Sequence, residues 1–190
     1  MRKMIAAMKI SIDGKTEGPE GYADWVDAWS EDYGLTAQVD ACVLGGRMYP
    51  NYEQYWTAIQ EAPNEPNPMG VGVSTPAEVE WARFAATTPH YVLSRTLTSA
   101  TWPLTSFLRG LGEVAALKQQ PGKDIYLMGG AEITRACLKA GLVDELRFIV
   151  YPLIAGAGTA LFTAPERHRL ELRNVETLSD GRVRLVYGIA

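Results

Sequence analysis

Apolar residues fall along this chain in short blocks punctuated by glycine and proline, and the blocks alternate between strand and helix spacing. Residues 4–12 form a first apolar run, ended by Asp13-Gly14, and the polar stretch 15–21 reads as a loop. Residues 22–35 have helical spacing. Residues 39–44 read as a buried strand closed by Gly45-Gly46, and residues 48–59 as a helix interrupted or capped near Pro50. Residues 60–73 hold Pro63, Pro66, Pro68, Gly70 and Gly72, which marks a long surface loop. Ser74-Thr75-Pro76-Ala77-Glu78 carries helix-start signals for a helix running to about residue 86. A short strand follows at 91–93, and 106–120 contains a helix starting near Gly112.

The stretch 124–162 is the most informative. Ile125-Tyr126-Leu127-Met128 reads as a buried strand stopped by Gly129-Gly130; residues 131–140 have helical spacing up to Gly141, and 145–154 form a second apolar strand. Strand, glycine turn, helix and strand predict a right-handed βαβ crossover within a parallel sheet. Gly156-Ala157-Gly158 reads as a loop, and strands at 170–177 and 182–187 are joined by the hairpin signal Ser179-Asp180-Gly181. The pattern predicts an α/β fold, a single three-layer domain over residues 1–190. Its sheet is mixed but mainly parallel, with an antiparallel C-terminal hairpin at one edge.

Composition narrows the function. A chain of 190 residues fits one domain with a substantial core. A formal net charge of −4 argues against a nucleic-acid reader, which normally shows a basic face. No apolar run is long enough to span a bilayer, and the N-terminus lacks signal-peptide features, so the expected location is cytoplasmic. Cys42 and Cys137 read as small buried hydrophobes. With only His90 and His168 beside them there is no ligand spacing for a metal, and both histidines read as surface residues.

Three turns follow three apolar strands, and open α/β sheets bind ligands beyond the carboxyl ends of their strands. Gly45-Gly46-Arg47 offers bare N–H groups and a guanidinium for pyrophosphate. Ser94-Arg95-Thr96 flanks an arginine with two hydroxyls, a cradle for a ribose 2′-phosphate, since arginine donates in a planar fork. Gly129-Gly130 opens a helix whose first N–H groups and dipole favour phosphate. Turn chemistry and a solvated arginine account for any one of these alone; three at corresponding positions point to a dinucleotide.

The chain resembles the dihydrofolate reductase-like superfamily. Within it, it is most similar to the reductase domain of the bacterial riboflavin-pathway deaminase–reductase (RibD C-terminal-like) and its stand-alone relatives. The residues that carry the resemblance are Ser11-Ile12-Asp13-Gly14, Asp24-Trp25, Leu44-Gly45-Gly46-Arg47-Met48-Tyr49 and Tyr91-Val92-Leu93-Ser94-Arg95-Thr96-Leu97, then Gly129-Gly130-Ala131-Glu132 and Val143-Asp144-Glu145-Leu146. The resemblance implies NADPH, with Gly45, Gly46, Arg47 and Met48 and then Gly129, Gly130, Ala131, Glu132 and Ile133 near its pyrophosphate. It places Ser94, Arg95 and Thr96 near the 2′-phosphate. Family members commonly carry Gly-Arg-x-Thr-Tyr in the first turn; here the threonine is missing and Arg47 stands one place late.

That family implies reduction of a small heterocyclic or carbonyl substrate, in the nearest branch 5-amino-6-(5-phosphoribosylamino)uracil in riboflavin biosynthesis, by a homodimer. A dihydrofolate reductase-type enzyme and a noncatalytic NADP(H)-binding protein of the same fold are the alternatives. Hydride transfer needs little beyond holding the two carbons within about 3–3.5 Å, but reduction also needs a proton. On a helix at 22–35, Asp32 falls on the side of Trp25, Trp29 and Tyr33, where aromatic walls would raise its pKa; solvent exposure near the helix end is its bland reading. Asp13 is the second catalytic candidate, with a turn-forming role as its alternative. Trp25, Trp29 and Tyr49 are the candidate substrate contacts, and Glu132 either orients a hydroxyl or complements the helix dipole.

Overall fold

A computed structural model describes residues 1–26, 29, 33–66, 72–163 and 167–190. In chain order the elements are β1 (Met4–Ser11), β2 (Lys15–Glu17), β3 (Val39–Gly45), α1 (Tyr49–Glu61), α2 (Pro76–Thr87), β4 (His90–Leu93), β5 (Thr105–Leu108) and α3 (Leu111–Gln119). They continue with β6 (Asp124–Gly129), α4 (Ala131–Lys139), β7 (Glu145–Tyr151), β8 (Thr159–Ala160), β9 (Leu170–Thr177) and β10 (Val183–Ile189). Eight strands form one sheet in the order β5-β4-β3-β6-β1-β7-β10-β9. From β5 to β7 neighbours run parallel; β10 and β9 are antiparallel. The predicted βαβ unit is β6-α4-β7, and β1 lies between its two strands.

β1 shows why the sheet is central. Its alternating side chains enter two different cores: Ile5 and Ala7 on one face, Met4, Ala6 and Met8 on the other. The first face is covered by α1 and α2 through Tyr52, Trp56, Ile59, Trp81 and Ala82. The second is covered by α3 and α4 through Val114, Leu117, Ile133, Cys137 and Leu138. Both cysteines are buried, as their apolar surroundings imply. The start of α2 follows its sequence signal: Thr75 and Glu78 form a reciprocal capping box, with a proline in the first turn.

Three expectations need correction, and one strand has no counterpart in the sequence pattern. The described residues around 22–35 form turns and bends rather than a helix, because side chains from distant elements satisfy their backbone. Glu78 accepts from the Trp29 N–H at 3.4 Å, and Arg147 donates to the carbonyls of Tyr33 at 2.9 Å and Gly34 at 3.3 Å. Thr105–Leu108 is an edge strand beside β4, too short and too exposed to show alternation. The supposed loop 15–21 contributes β2, which pairs with β8. His90 is not a surface residue; it is 1 % exposed.

At the amino ends of the strands, Lys118 is buried and donates to Leu142 O and Asp144 Oδ2, both at 2.5 Å, while Asp144 also accepts from Met4 N–H at 2.7 Å. This network locks α3, β1 and β7 together. Lys118→Met is expected to cost about 3 kcal/mol in denaturant unfolding, the low end for breaking a buried pair because Asp144 keeps partial access to water. A loss under about 1 kcal/mol would show that the lysine is dispensable.

Burial depresses the His90 imidazole from the ordinary 6.5 to about 4. Its Nδ1 faces Thr88 O at 2.7 Å and its Nε2 faces the Tyr52 hydroxyl at 3.1 Å. The unfolded chain therefore takes up this proton first. Stability is fully present above about pH 6.5, declines as pH falls towards 4, and levels off below. Unfolding curves between pH 7 and pH 4 should show a smaller pH slope for His90→Gln than for the wild type; equal slopes would remove His90 as the source.

Candidate active site

The turns after β3, β4 and β6 meet because their strands are neighbours in the sheet. They meet closely. A Cβ at Gly46 would lie 2.6 Å from both Cβ and Oγ of Ser94, so the first turn presses on the second with room for glycine only. Gly46 N–H donates to Leu93 O at 3.0 Å, fixing that contact. At Gly129, φ is +106° and a Cβ would meet Met8 Sδ at 3.1 Å. The peptide Gly129–Gly130 is cis.

These turns line one side of a cleft of about 1140 Å³, to which Gly45, Gly46, Arg47, Met48, Ser94, Thr96, Gly130, Ala131, Glu132 and Ile133 all contribute. Both α1 and α4 open on it without any side-chain cap, leaving first-turn N–H groups for an anion. Arg47 reaches across to Glu132 at 3.3 Å, and both side chains are largely exposed.

Ser94 and Thr96 face the cleft, while Arg95 is exposed at its margin and Gly129 lies behind the lining. Ser94 Oγ accepts from the N–H groups of Thr96 at 3.3 Å and Leu97 at 3.1 Å. Arg109, which the sequence did not single out, donates to the carbonyls of Ser94 at 2.6 Å and Leu97 at 2.8 Å and braces this turn. Only the fold could reveal it, since it lies beyond an unanticipated strand.

The opposite wall is aromatic. Trp29, Tyr33, Tyr55, Trp56, Trp81 and Tyr126 line it, and Trp29 is 39 % exposed. Lys9 sits among them, 5 % exposed, with Nζ 6.0 Å from the centroid of the Trp29 ring. Its signal in the sequence was a lysine continuing an otherwise buried strand. Position 9 follows Ile5 and Ala7 in alternation, so it belongs to the same face of the sheet. Glu78 accepts from the Tyr55 hydroxyl at 2.8 Å as well as from Trp29 N–H, so a helix cap also positions this wall.

Other candidates are placed elsewhere. Asp32 lies outside the described residues, as do Asp27, Ala28, Ser30 and Glu31. Asp13 is not in the cleft lining; it accepts from Ser11 Oγ at 2.7 Å and from the N–H groups of Ala155 and Gly156, both at 2.9 Å. Those donors hold its carboxyl down at about 2, so it stays ionised and clamps a loop rather than donating a proton. Tyr49 is 2 % exposed, its hydroxyl held by Glu53 at 2.6 Å and Thr105 at 2.8 Å; it is core, not a substrate contact. Trp25 packs against the core outside the lining, leaving Trp29 as the tryptophan of that pair in the cleft.

The fold has known counterparts. YyaP of Bacillus subtilis (strain 168), a protein of uncharacterised activity, is 32% identical over 192 residues, covering 98% of this chain and 94% of its own length. A Shewanella sp. PV-4 protein assigned to riboflavin biosynthesis superposes with a TM-score of 0.69 at 19% identity over 99% of each chain. A pyrimidine reductase-like protein of Corynebacterium diphtheriae gives 0.61 at 16% identity, covering 100% of this chain and 92% of the other. The family model of the RibD C-terminal domain matches residues 2–184, and the chain therefore belongs to the RibD C-terminal domain family, with its dihydrofolate reductase-like fold.

Proposed function

We propose that this protein is an NADPH-dependent reductase that delivers hydride to a small heterocyclic or carbonyl substrate, with 5-amino-6-(5-phosphoribosylamino)uracil reductase-like chemistry as the family's example. The observation that carries the reading is the cleft: three glycine or serine turns and two uncapped helix starts on one wall, aromatic rings and a buried lysine on the other. Its volume of about 1140 Å³ exceeds the roughly 300–1,000 Å³ of ordinary ligand pockets, enough for a dinucleotide and a second small molecule.

The donor set fits the cofactor. Bare N–H groups at the starts of α1 and α4 would hold its pyrophosphate, and the exposed Arg47, paired here with Glu132, would add a guanidinium to the phosphate oxygens. Ser94, Thr96 and Arg95 supply hydroxyls and a guanidinium for a 2′-phosphate. The cofactor, when bound, supplies the hydride. The chain supplies position and charge. Trp29 and its aromatic neighbours exclude water and hold a flat substrate, and Lys9 Nζ polarises the C=N or C=O group and delivers the proton to its heteroatom.

The test is loss of NADPH absorbance against a panel of pyrimidine, pteridine and carbonyl substrates. Lys9→Met is expected to lower turnover at least 100-fold while NADPH still quenches tryptophan fluorescence with unchanged affinity. Unchanged turnover would remove Lys9 from the chemistry. Arg95→Ala is expected to abolish the preference for NADPH over NADH, with NADH affinity unaltered; a retained preference would take Arg95 out of the 2′-phosphate site.

A further inference from the structure

The cleft is divided by charge. Its turn wall holds two uncapped helix starts and Arg47, with Arg95 at the margin. Residues 16–38, which bring Tyr22, Trp29 and Tyr33 to the facing wall, contain six carboxylates and no lysine or arginine. One of those carboxylates, Glu17, lines the cleft itself. All 18 lysine and arginine side chains of the chain fall within the described residues, and three of them line the cleft: Lys9, Arg47 and Arg135. Arg135 belongs to α4, on the side of the turns, and donates to the carbonyls of Ala160 at 2.8 Å and Leu161 at 3.2 Å. Lys9 is buried against Trp29. The substrate side therefore has one buried ammonium and no exposed cation.

The surface this side offers is flat and neutral. Tyr55, Trp56, Trp81, Tyr126 and Tyr33 form a continuous edge-to-face series, with successive centroids 4.8, 6.3, 5.9 and 6.1 Å apart. The last four are buried, so core packing fixes the series. Trp29 and Tyr22, by contrast, are 39% and 51% exposed and leave ring surface for a planar ligand. On α1, Asn51 and Gln54 stand about one helical turn apart and both line the cleft. Both are exposed, and among the described residues neither carboxamide has a hydrogen-bond partner. A carboxamide donates and accepts at once, which matches the N–H and C=O edge of a heterocycle without adding charge.

We infer that the second ligand of this cleft is a planar N-heterocycle, neutral or cationic, with neither a phosphate nor a carboxylate tail. In taking NADPH as the first ligand this rests on the reductase reading, but it separates the substrate from the phosphoribosyl compound that serves as the family's example. A phosphorylated substrate would add negative charge to a space already bounded by Glu17, by the acidic stretch and by the cofactor's own phosphates. An unphosphorylated ring meets aromatic faces, two carboxamides and the Lys9 ammonium.

Equilibrium dialysis of the NADP+-saturated protein tests this without requiring turnover. The probes are two matched pairs: 5-amino-6-ribosylaminouracil with its 5′-phosphate, and 6-methylpterin with folate. In each pair the member without the anionic group should bind about 10-fold more tightly or better, and added salt should narrow the gap by screening. Glu17→Lys should cut that ratio about threefold or more, with Glu17→Gln between it and the wild type. Equal or tighter binding of the anionic members, no binding of either tail-free ring, or an unchanged ratio in Glu17→Lys would each overturn the proposal. Dialysis of NADP+ alone reads the cofactor site separately. If that fails, the same pairs dialysed against the cofactor-free protein still decide which ring the cleft selects.

Discussion

Gly46 lies against Ser94 with no space for a side chain between them, and the rest of the site depends on that contact. It draws the turn after β3 onto the turn after β4, while β6 on the other side of β3 brings Gly129 and Gly130 alongside. Parallel pairing sets these three carboxyl ends side by side. Glycine lets their backbones approach one another and leaves N–H groups facing outward, not covered by side chains. The same residues thus pack the turns and form one wall of the cleft.

The facing wall is built by different means. Its aromatic rings come from α1, α2, β6 and the stretch before β3, and polar cross-links set their positions: Glu78 holds Tyr55 and Trp29, Arg147 holds the carbonyls of Tyr33 and Gly34. Lys9 is carried into this wall by the central strand. One wall is thus set by backbone packing and the other by side chains held in hydrogen bonds from distant elements.

The sheet, its parallel character and the closing hairpin were legible because glycine punctuation and strand alternation are local signals. The positions of the three turns were legible for the same reason. Asp13 misled because an Asp-Gly turn reads the same whether its carboxylate meets a ligand or, as here, loop N–H groups. Tyr49 adjoins the first turn in sequence but points into the core, a direction set by the start of α1. The aromatic stripe of residues 25, 29 and 33 was read through helical spacing, yet the described residues around it form turns and bends tied by long-range hydrogen bonds, and of the three Trp29 and Tyr33 reach the cleft. Lys9 and Arg109 depend on contacts between elements far apart in sequence.

Calorimetric titration of NADPH into the pure, folded chain tests the proposed cofactor site most directly. One saturable site per chain is predicted, with affinity falling as salt rises, because the proposed site would hold phosphate by a guanidinium and helix N-termini. Absence of any binding heat across a range of temperatures would contradict it.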